Sequence, residues 1–234
     1  MIASFLHNFI FIKTKKTAGT TVEMVLAPAC GPDDIITPLG VLDEMARGKG
    51  EPLCRNFADP GIEDAARYAI TSGSRRQMKS LKSLIHRTEF YNHMPASEIR
   101  DKLPKRFWLK AYKFTVERHP YEKAVSQAYF GYKDSEPFGT YLDRFVRRGK
   151  YSSFEMYSID GEVVVQDFLR QERLADDLQA MAWKLGIPIA NEIPRAKSGS
   201  RADRRPAREI LSDGQKEIVY GFCKKEFELL GYEP

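Results

Sequence analysis

The chain has 234 residues, of which 42% are hydrophobic and 29% charged, and its formal net charge is +5 with an isoelectric point near 9.0. This composition excludes a disordered or fibrous protein and predicts a single domain over residues 1–234. The three cysteines, Cys30, Cys54 and Cys223, are widely spaced, which argues against a disulfide framework and against a zinc site. The excess of positive charge favours an anionic ligand.

The apolar run at residues 2–12 predicts the first core strand, most clearly at Phe9-Ile10-Phe11-Ile12. Eleven residues are too few to span a bilayer, and the run lacks the basic region and the cleavage site of a signal peptide. We therefore expect a cytoplasmic protein without a transmembrane segment.

The next stretch, residues 13–26, has the pattern of an anion-binding loop. The loop from Lys13 to Gly19 contains three lysines, Lys13 included. Thr20 followed by Glu23 predicts a capping box at a helix start. Backbone N–H groups and the macrodipole of a helix start attract a phosphate, and Lys16 adds a full charge beside them. An ordinary strand–turn–helix with surface lysines is the alternative. The P-loop of nucleotide hydrolases is a poor match, because its lysine follows the last glycine.

The rest of the chain alternates between predicted strands and helices, which indicates an α/β fold with a mainly parallel central sheet flanked by helices. We predict strands at 68–71, 107–116 and 163–169, and helices at 39–47, 75–86, 95–103, 121–132, 138–148, 173–185 and 212–230, with a long basic loop at 190–208.

Arg118 and Ser126 form a second candidate site. Arg118 stands between a predicted strand end and a helix start, where the ligand sites of open α/β sheets concentrate. Ser126 lies about two turns into that helix, away from its tyrosine stripe. Taken singly, a loop arginine is usually a solvated charge and a helix serine usually has no function.

Two stretches resemble the phosphate-binding motifs of the sulfotransferases that use 3′-phosphoadenosine 5′-phosphosulfate. Lys-Thr-Ala-Gly-Thr-Thr at 16–21 is similar to the 5′-phosphosulfate loop, with Lys15 where proline is common, and FTVERHPYEKAVSQAYFGY at 114–132 is similar to the 3′-phosphate motif. Residues 164–187 and the C-terminal FCKKEFELLGYEP also resemble the family, whereas residues 30–90 do not match it. The branch of the family that the chain resembles is a carbohydrate-modifying, bacterial-like one.

The resemblance implies a P-loop-like sulfotransferase fold and a role for each matched residue. The 5′-phosphate would be held by Lys15, Lys16, Thr17, Ala18, Gly19, Thr20 and Thr21. Arg118 and Ser126 would grip the 3′-phosphate, for which the planar guanidinium is well suited. Ser200 and Arg201, in a serine–glycine–arginine element, would close over the same phosphate. No metal is implied.

The candidate catalytic base is His93, which precedes a helix between the two phosphate motifs. Phe90-Tyr91-Asn92-His93 resembles a stretch that carries a catalytic histidine in some polysaccharide sulfotransferases. Glu89 is the rival base, and a surface or capping histidine is the alternative without function.

These observations predict a sulfotransferase that moves a sulfuryl group to a hydroxyl of a carbohydrate or glycolipid, with Lys16 neutralising charge on the leaving phosphate. We expect no nucleic-acid partner. Two alternatives remain open: a P-loop-type small-molecule kinase, and a basic polyanion-binding protein without catalysis, which the arginine loop supports.

Overall fold

The computed structural model describes residues 1–47, 53–77, 79, 88–190, 193 and 203–234. Its centre is a five-stranded sheet with the strand order β3-β1-β2-β4-β7. The strands are β1 (Ile2–Ser4), β2 (Phe9–Ile12), β3 (Ile35–Ile36), β4 (Tyr112–Glu117) and β7 (Asp167–Arg170), and β5 (Ser158–Ile159) and β6 (Glu162–Val163) form a separate two-stranded sheet.

The described helices flank these strands. They are α1 (Gly19–Leu26), α2 (Val41–Arg47), α3 (Pro60–Thr71), α4 (Ala96–Lys102), α5 (Lys105–Lys110), α6 (Pro120–Gly131), α7 (Phe138–Val146), α8 (Phe154–Tyr157), α9 (Leu174–Leu185), α10 (Ala207–Ile210) and α11 (Asp213–Leu230). Within the described ranges, no helix has the length and apolar character needed to cross a bilayer.

The α/β class is confirmed, and the sheet is mixed, with a parallel part formed by β2, β4 and β7. β2, β4 and β7 run parallel to one another, whereas β1 is antiparallel to both β2 and β3. The apolar run at 2–12 therefore forms two strands and a turn. The Asp34 carboxylate stabilises that turn by accepting hydrogen bonds from the N–H groups of Phe5 and Leu6 at 2.7 and 3.1 Å.

Both faces of the central strands are buried, as the continuous apolar sequence of β2 requires. Ile10 and Ile12 pack against the layer formed by α3, α4, α5 and α8, while Phe9 and Phe11 pack against α1 and α9. A third apolar cluster joins α6, α7, α10 and α11.

Three element predictions were wrong in part or in whole. Residues 68–71 lie in α3 and not in a strand, and 107–110 belong to α5, so β4 begins only at Tyr112. The predicted strand at 163–169 is divided between β6 and β7, which belong to different sheets. In each case the apolar residues carry the local signal, and contacts with other elements decide between helix and strand. The predicted helix at 75–86 lies largely outside the described residues.

Candidate functional site

The carboxyl ends of β2, β4 and β7 meet at one edge of the sheet, as parallel strands must, and the loops that follow them surround a cleft. Its volume is about 510 Å³. Ligand sites of open α/β sheets lie in this position. The lining residues come from the loop after β2 and the start of α1, from the start of α2 and the residue before it, from the segment before α4, from the β4–α6 junction and α6, and from the residue after β7: Lys13, Thr14, Lys15, Lys16, Ala18, Gly19, Thr20, Thr21, Gly40, Asp43, Asn92, His93, Arg118, Ser126, Gln127, Phe130 and Gln171.

The loop between β2 and α1 turns sharply because Lys16 and Ala18 both adopt the left-handed backbone conformation, with φ of 61° and 68°. Ala18 is the N-cap of α1, which begins at Gly19 and has no side-chain cap. The predicted capping box at Thr20 and Glu23 is therefore wrong. Gly19, Thr20 and Thr21 line the cleft, so the start of α1, where a helix offers N–H donors to an anion, lies at the cleft wall.

Glu23 instead forms a buried ion pair beneath the loop. Its carboxylate accepts a hydrogen bond from Lys13 Nζ at 2.7 Å and another from the amino group of Met1, and the side chains of Lys13 and Glu23 are almost fully buried. Burial alone would raise the pKa of Glu23, but Lys13, the Met1 amino group and Arg47 lower it to about 2. The pair joins the end of β2 to the first turn of α1.

This ion pair requires a glycine at position 19. A Cβ atom at position 19 would lie 2.7 Å from Lys13 Cγ, so only glycine allows the lysine side chain to pass beneath the helix start. Thr14 adds a second attachment, because its hydroxyl donates to the Val116 carbonyl of β4 and lies 2.8 Å from the Thr17 hydroxyl. The loop is preorganised by contacts from below.

Of the predicted 5′-phosphate residues, six line the cleft. These are Lys15, Lys16, Ala18, Gly19, Thr20 and Thr21. Thr17 is buried and is not among the lining residues. Lys16 Nζ lies 4.3 Å from the centre of the Phe130 ring, an arrangement that favours a cation–π interaction.

Arg118 and Ser126 line the same cleft from the junction of β4 and α6. The Arg118 guanidinium forms a half-buried ion pair with Glu122 at 3.0 Å. Glu122 also accepts a hydrogen bond from the Ala207 N–H at 2.6 Å, which connects this junction to the start of α10. A phosphate that binds to Arg118 would therefore have to share the guanidinium with the Glu122 carboxylate or displace that carboxylate.

The β4–α6 junction also has a buried ion pair beneath it. Lys123 Nζ donates to Glu117 at 2.8 Å and lies 3.8 Å from Glu226 on α11, and all three side chains are buried. Burial opposes the charge on Lys123, but Glu117 and Glu226 hold its pKa above the ordinary value.

His93 lies against the β2–α1 loop, and its Nδ1 is 3.2 Å from the Lys13 carbonyl oxygen. A carbonyl oxygen only accepts, so Nδ1–H donates and Nε2 carries the lone pair of the neutral ring. Burial, together with the positive charges of Lys13 and the Met1 amino group, lowers the pKa of His93 to about 3. The ring is neutral at physiological pH. Glu89 is exposed and is not among the lining residues.

Several lining residues were missed from the sequence. Phe130 follows Ser126 by one helical turn, so the spacing offered a signal. Gly40 and Asp43 come from segments without a recognisable motif, and Asn92 lies within the Phe90–His93 stretch beside the predicted base; only the fold brings the three residues to the cleft. Ser200 and Arg201 lie outside the described residues.

Metal ligation has no support in the part of the chain that the structure describes, where no group of three or more His, Cys, Asp or Glu side chains could hold an ion. Comparison of the chain with protein-family models, with curated proteins and with solved structures finds no match.

Proposed function

We propose that the protein is a sulfotransferase that transfers the sulfuryl group of 3′-phosphoadenosine 5′-phosphosulfate to a hydroxyl of a carbohydrate or glycolipid. The observation that carries the proposal is that two distant sequence motifs, one containing Lys16 and the other containing Arg118 and Ser126, line one cleft. Their similarity to the family's 5′ and 3′ phosphate motifs supports an adenosine bisphosphate as the ligand that spans them.

In this proposal the β2–α1 loop binds the 5′-phosphate through the backbone N–H groups at the start of α1. Lys16 leaves the Phe130 ring and neutralises the charge that develops on the leaving phosphate oxygen. A preorganised loop suits this task, because donors that are already in place require no reorganisation during the reaction.

Arg118 and Ser126 bind the 3′-phosphate. Arginine offers two parallel N–H groups to phosphate oxygens, and the Ser126 hydroxyl adds a third contact. The pair between Arg118 and Glu122 is half-buried, so it is weaker than the buried pairs and can be exchanged for the phosphate.

His93 takes the proton of the acceptor hydroxyl through Nε2. A pKa of about 3 makes the ring a weak base before the donor binds. Binding of an anionic donor beside Lys13 offsets one of the positive charges that lower the pKa, so the basicity of His93 rises when the donor is bound. The acceptor enters from the side of the cleft formed by Gly40, Asp43 and Asn92.

The test is a calorimetric comparison of adenosine 3′,5′-bisphosphate with adenosine 5′-monophosphate. We expect the bisphosphate to bind about 30- to 1,000-fold more tightly, because a charge-assisted contact and a hydroxyl contact together contribute roughly 2–4 kcal/mol. Arg118→Ala should remove most of this preference and change affinity for the monophosphate little.

Arg148→Ala changes an exposed arginine that does not line the cleft; it is the matched control and should keep the preference. Equal affinities of the wild type for the two nucleotides would refute the proposal. Magnesium-dependent binding of ATP in preference to the bisphosphate would indicate a kinase.

A further inference from the structure

The edge of the sheet opposite the cleft, where β2, β4 and β7 begin, forms a continuous surface built from three segments. The turn at residues 5–8 contacts α5 through the Phe5 and Phe107 rings, 4.3 Å apart, and through a 3.2 Å hydrogen bond from Asn8 Nδ2 to the Lys110 carbonyl. The end of α9 reaches the same edge, because Lys184 Nζ hydrogen-bonds to the Tyr112 hydroxyl at the start of β4. We call this the amino-edge surface.

Three large apolar side chains of the amino-edge surface are strongly exposed. Leu6 is 65% exposed, Leu109 is 68% exposed and Trp183 is 87% exposed. Single exposed apolar residues are common, but each of the three segments of this surface presents one.

Basic side chains lie beside Leu109 on α5. At 100° per residue, Leu109 projects between Lys105 and Arg106 on α5, with Lys110 on the same exposed side. Lys102 precedes them on α4. In the described part of the chain these four cations form no ion pair. Of the nearby carboxylates, Asp101 and Asp167 are paired with Arg100 and Lys184, Asp34 is buried beneath the turn, where it accepts hydrogen bonds from the Phe5 and Leu6 N–H groups, and Asp33 is exposed. The surface therefore has an excess of positive charge.

We propose that the amino-edge surface binds peripherally to an anionic membrane. Leucine and tryptophan side chains enter the boundary between headgroups and acyl chains, while lysine and arginine stems lie along that boundary and direct their charges to anionic headgroups. Charge complementarity identifies the partner, because an apolar protein groove would not select an excess of basic side chains on a surface with exposed leucine and tryptophan. The cleft lies at the opposite edge and stays open to water in this orientation. The inference does not depend on the proposed function.

Cosedimentation of the full chain with vesicles tests the inference. We expect binding to phosphatidylcholine vesicles that contain 30% phosphatidylglycerol and little binding to pure phosphatidylcholine, with a loss of binding at 0.5 M salt. Lys105→Glu/Arg106→Glu should weaken vesicle binding at least 25-fold. Leu109→Ala/Trp183→Ala should weaken it at least 10-fold, because the apolar anchors are removed.

Arg148→Glu/Lys150→Glu makes the same charge change on another surface and should leave vesicle binding within twofold. Tyr68→Ala removes an exposed apolar side chain of α3 and should do the same. Equal binding to the two kinds of vesicle overturns the inference, as does an equal loss in the control variants. Binding to heparin or an oligonucleotide without binding to anionic vesicles also overturns it, in favour of a soluble polyanion. Because adenosine 3′,5′-bisphosphate affinity is measured separately, failure here leaves the proposed function untouched.

Discussion

The two strand–helix junctions that form the cleft share one construction with opposite polarity. After β2, a strand-end lysine, Lys13, pairs with Glu23 in the helix that follows; after β4, a strand-end glutamate, Glu117, pairs with Lys123 in its helix. Both pairs are buried, and both join the end of a strand to the first turns of a helix. Whether the lysine stands at the strand end or in the helix decides whether its charge can face the ligand.

This difference assigns the charges of the cleft. Lys13 forms the buried ion pair with Glu23 and also lines the cleft, so the lysine of the first junction contributes positive charge to the site. Lys123 is fully buried among carboxylates and is not a lining residue, so the second junction depends on Arg118 for its cleft charge. A buried lysine beside a ligand site is therefore not by itself a ligand-binding lysine.

Removal of each buried ion pair should give the largest difference in the free energy of unfolding between the two junctions. We expect Lys123→Met to lower the free energy of unfolding by about 4–5 kcal/mol, because it leaves Glu117 and Glu226 buried without their cation. Glu23→Gln should cost less, about 3 kcal/mol, because Lys13 reaches the cleft and can be hydrated there. Urea unfolding followed by fluorescence measures both. Lys224→Met, on the exposed face of α11, is the control, and an equal loss in the two variants would contradict the distinction drawn between them.

The second prediction concerns the charge of the first junction that acts on the ligand. Lys16→Ala should reduce sulfuryl transfer by about 10²–10³, equivalent to about 3–4 kcal/mol of barrier, with little change in unfolding. Single-turnover transfer from 3′-phosphoadenosine 5′-phosphosulfate to a panel of carbohydrate acceptors provides the measurement, with Lys224→Ala as the control. A variant that keeps more than a tenth of the wild-type rate would remove Lys16 from the reaction.

The third prediction tests how tightly the first junction is packed. Gly19→Ala should lower the free energy of unfolding by about 1–3 kcal/mol, because the new methyl group would meet Lys13 Cγ at 2.7 Å. Gly221→Ala is a matched control in α11, where an added Cβ meets no atom within 4 Å. It should stabilise the protein by about 0.5–1 kcal/mol. Gly19→Ala as stable as the wild type would mean that Lys13 can move aside.

The last prediction concerns His93, which hydrogen-bonds to the Lys13 carbonyl of the first junction. Its pKa in the folded protein, about 3, is below its ordinary value of 6.5, so the unfolded chain binds the additional proton between these values. This group therefore contributes stability above pH 6.5 that is lost as the pH falls toward 3. Relative to His93→Asn, the wild type should lose up to about 1.4 kcal/mol per pH unit in that window.

Asparagine is the suitable replacement because residue 93 has a φ of 61°, a conformation that asparagine tolerates. Unfolding curves collected from pH 7 to pH 4 give the comparison. Parallel pH profiles for the wild type and His93→Asn would show that position 93 has no depressed pKa.

The sequence by itself determined the parts of this protein that depend on local patterns. The apolar strand at 9–12, the position of Arg118 directly after β4, and the C-terminal helix, predicted at 212–230 and observed at 213–230, all follow from residues close together in the chain. Hydrophobic periodicity and capping act over a few residues, so such features can be read without knowledge of the fold.

Tertiary structure decided the rest, because the same local sequence pattern is compatible with two different structures. Thr20 and Glu23 have the spacing of a capping box, yet Glu23 is drawn into the core by the strand-end charge of Lys13, ten residues earlier. Residues 68–71 and 107–110 have strand-like sequences but pack as helices against the sheet. Gly40 and Asp43 belong to no motif, and the stretch that contains Asn92 does not indicate which residues it will face. These positions meet only when α2 and the segment before α4 fold over the ends of the parallel strands, a contact between residues some fifty positions apart that no local rule encodes.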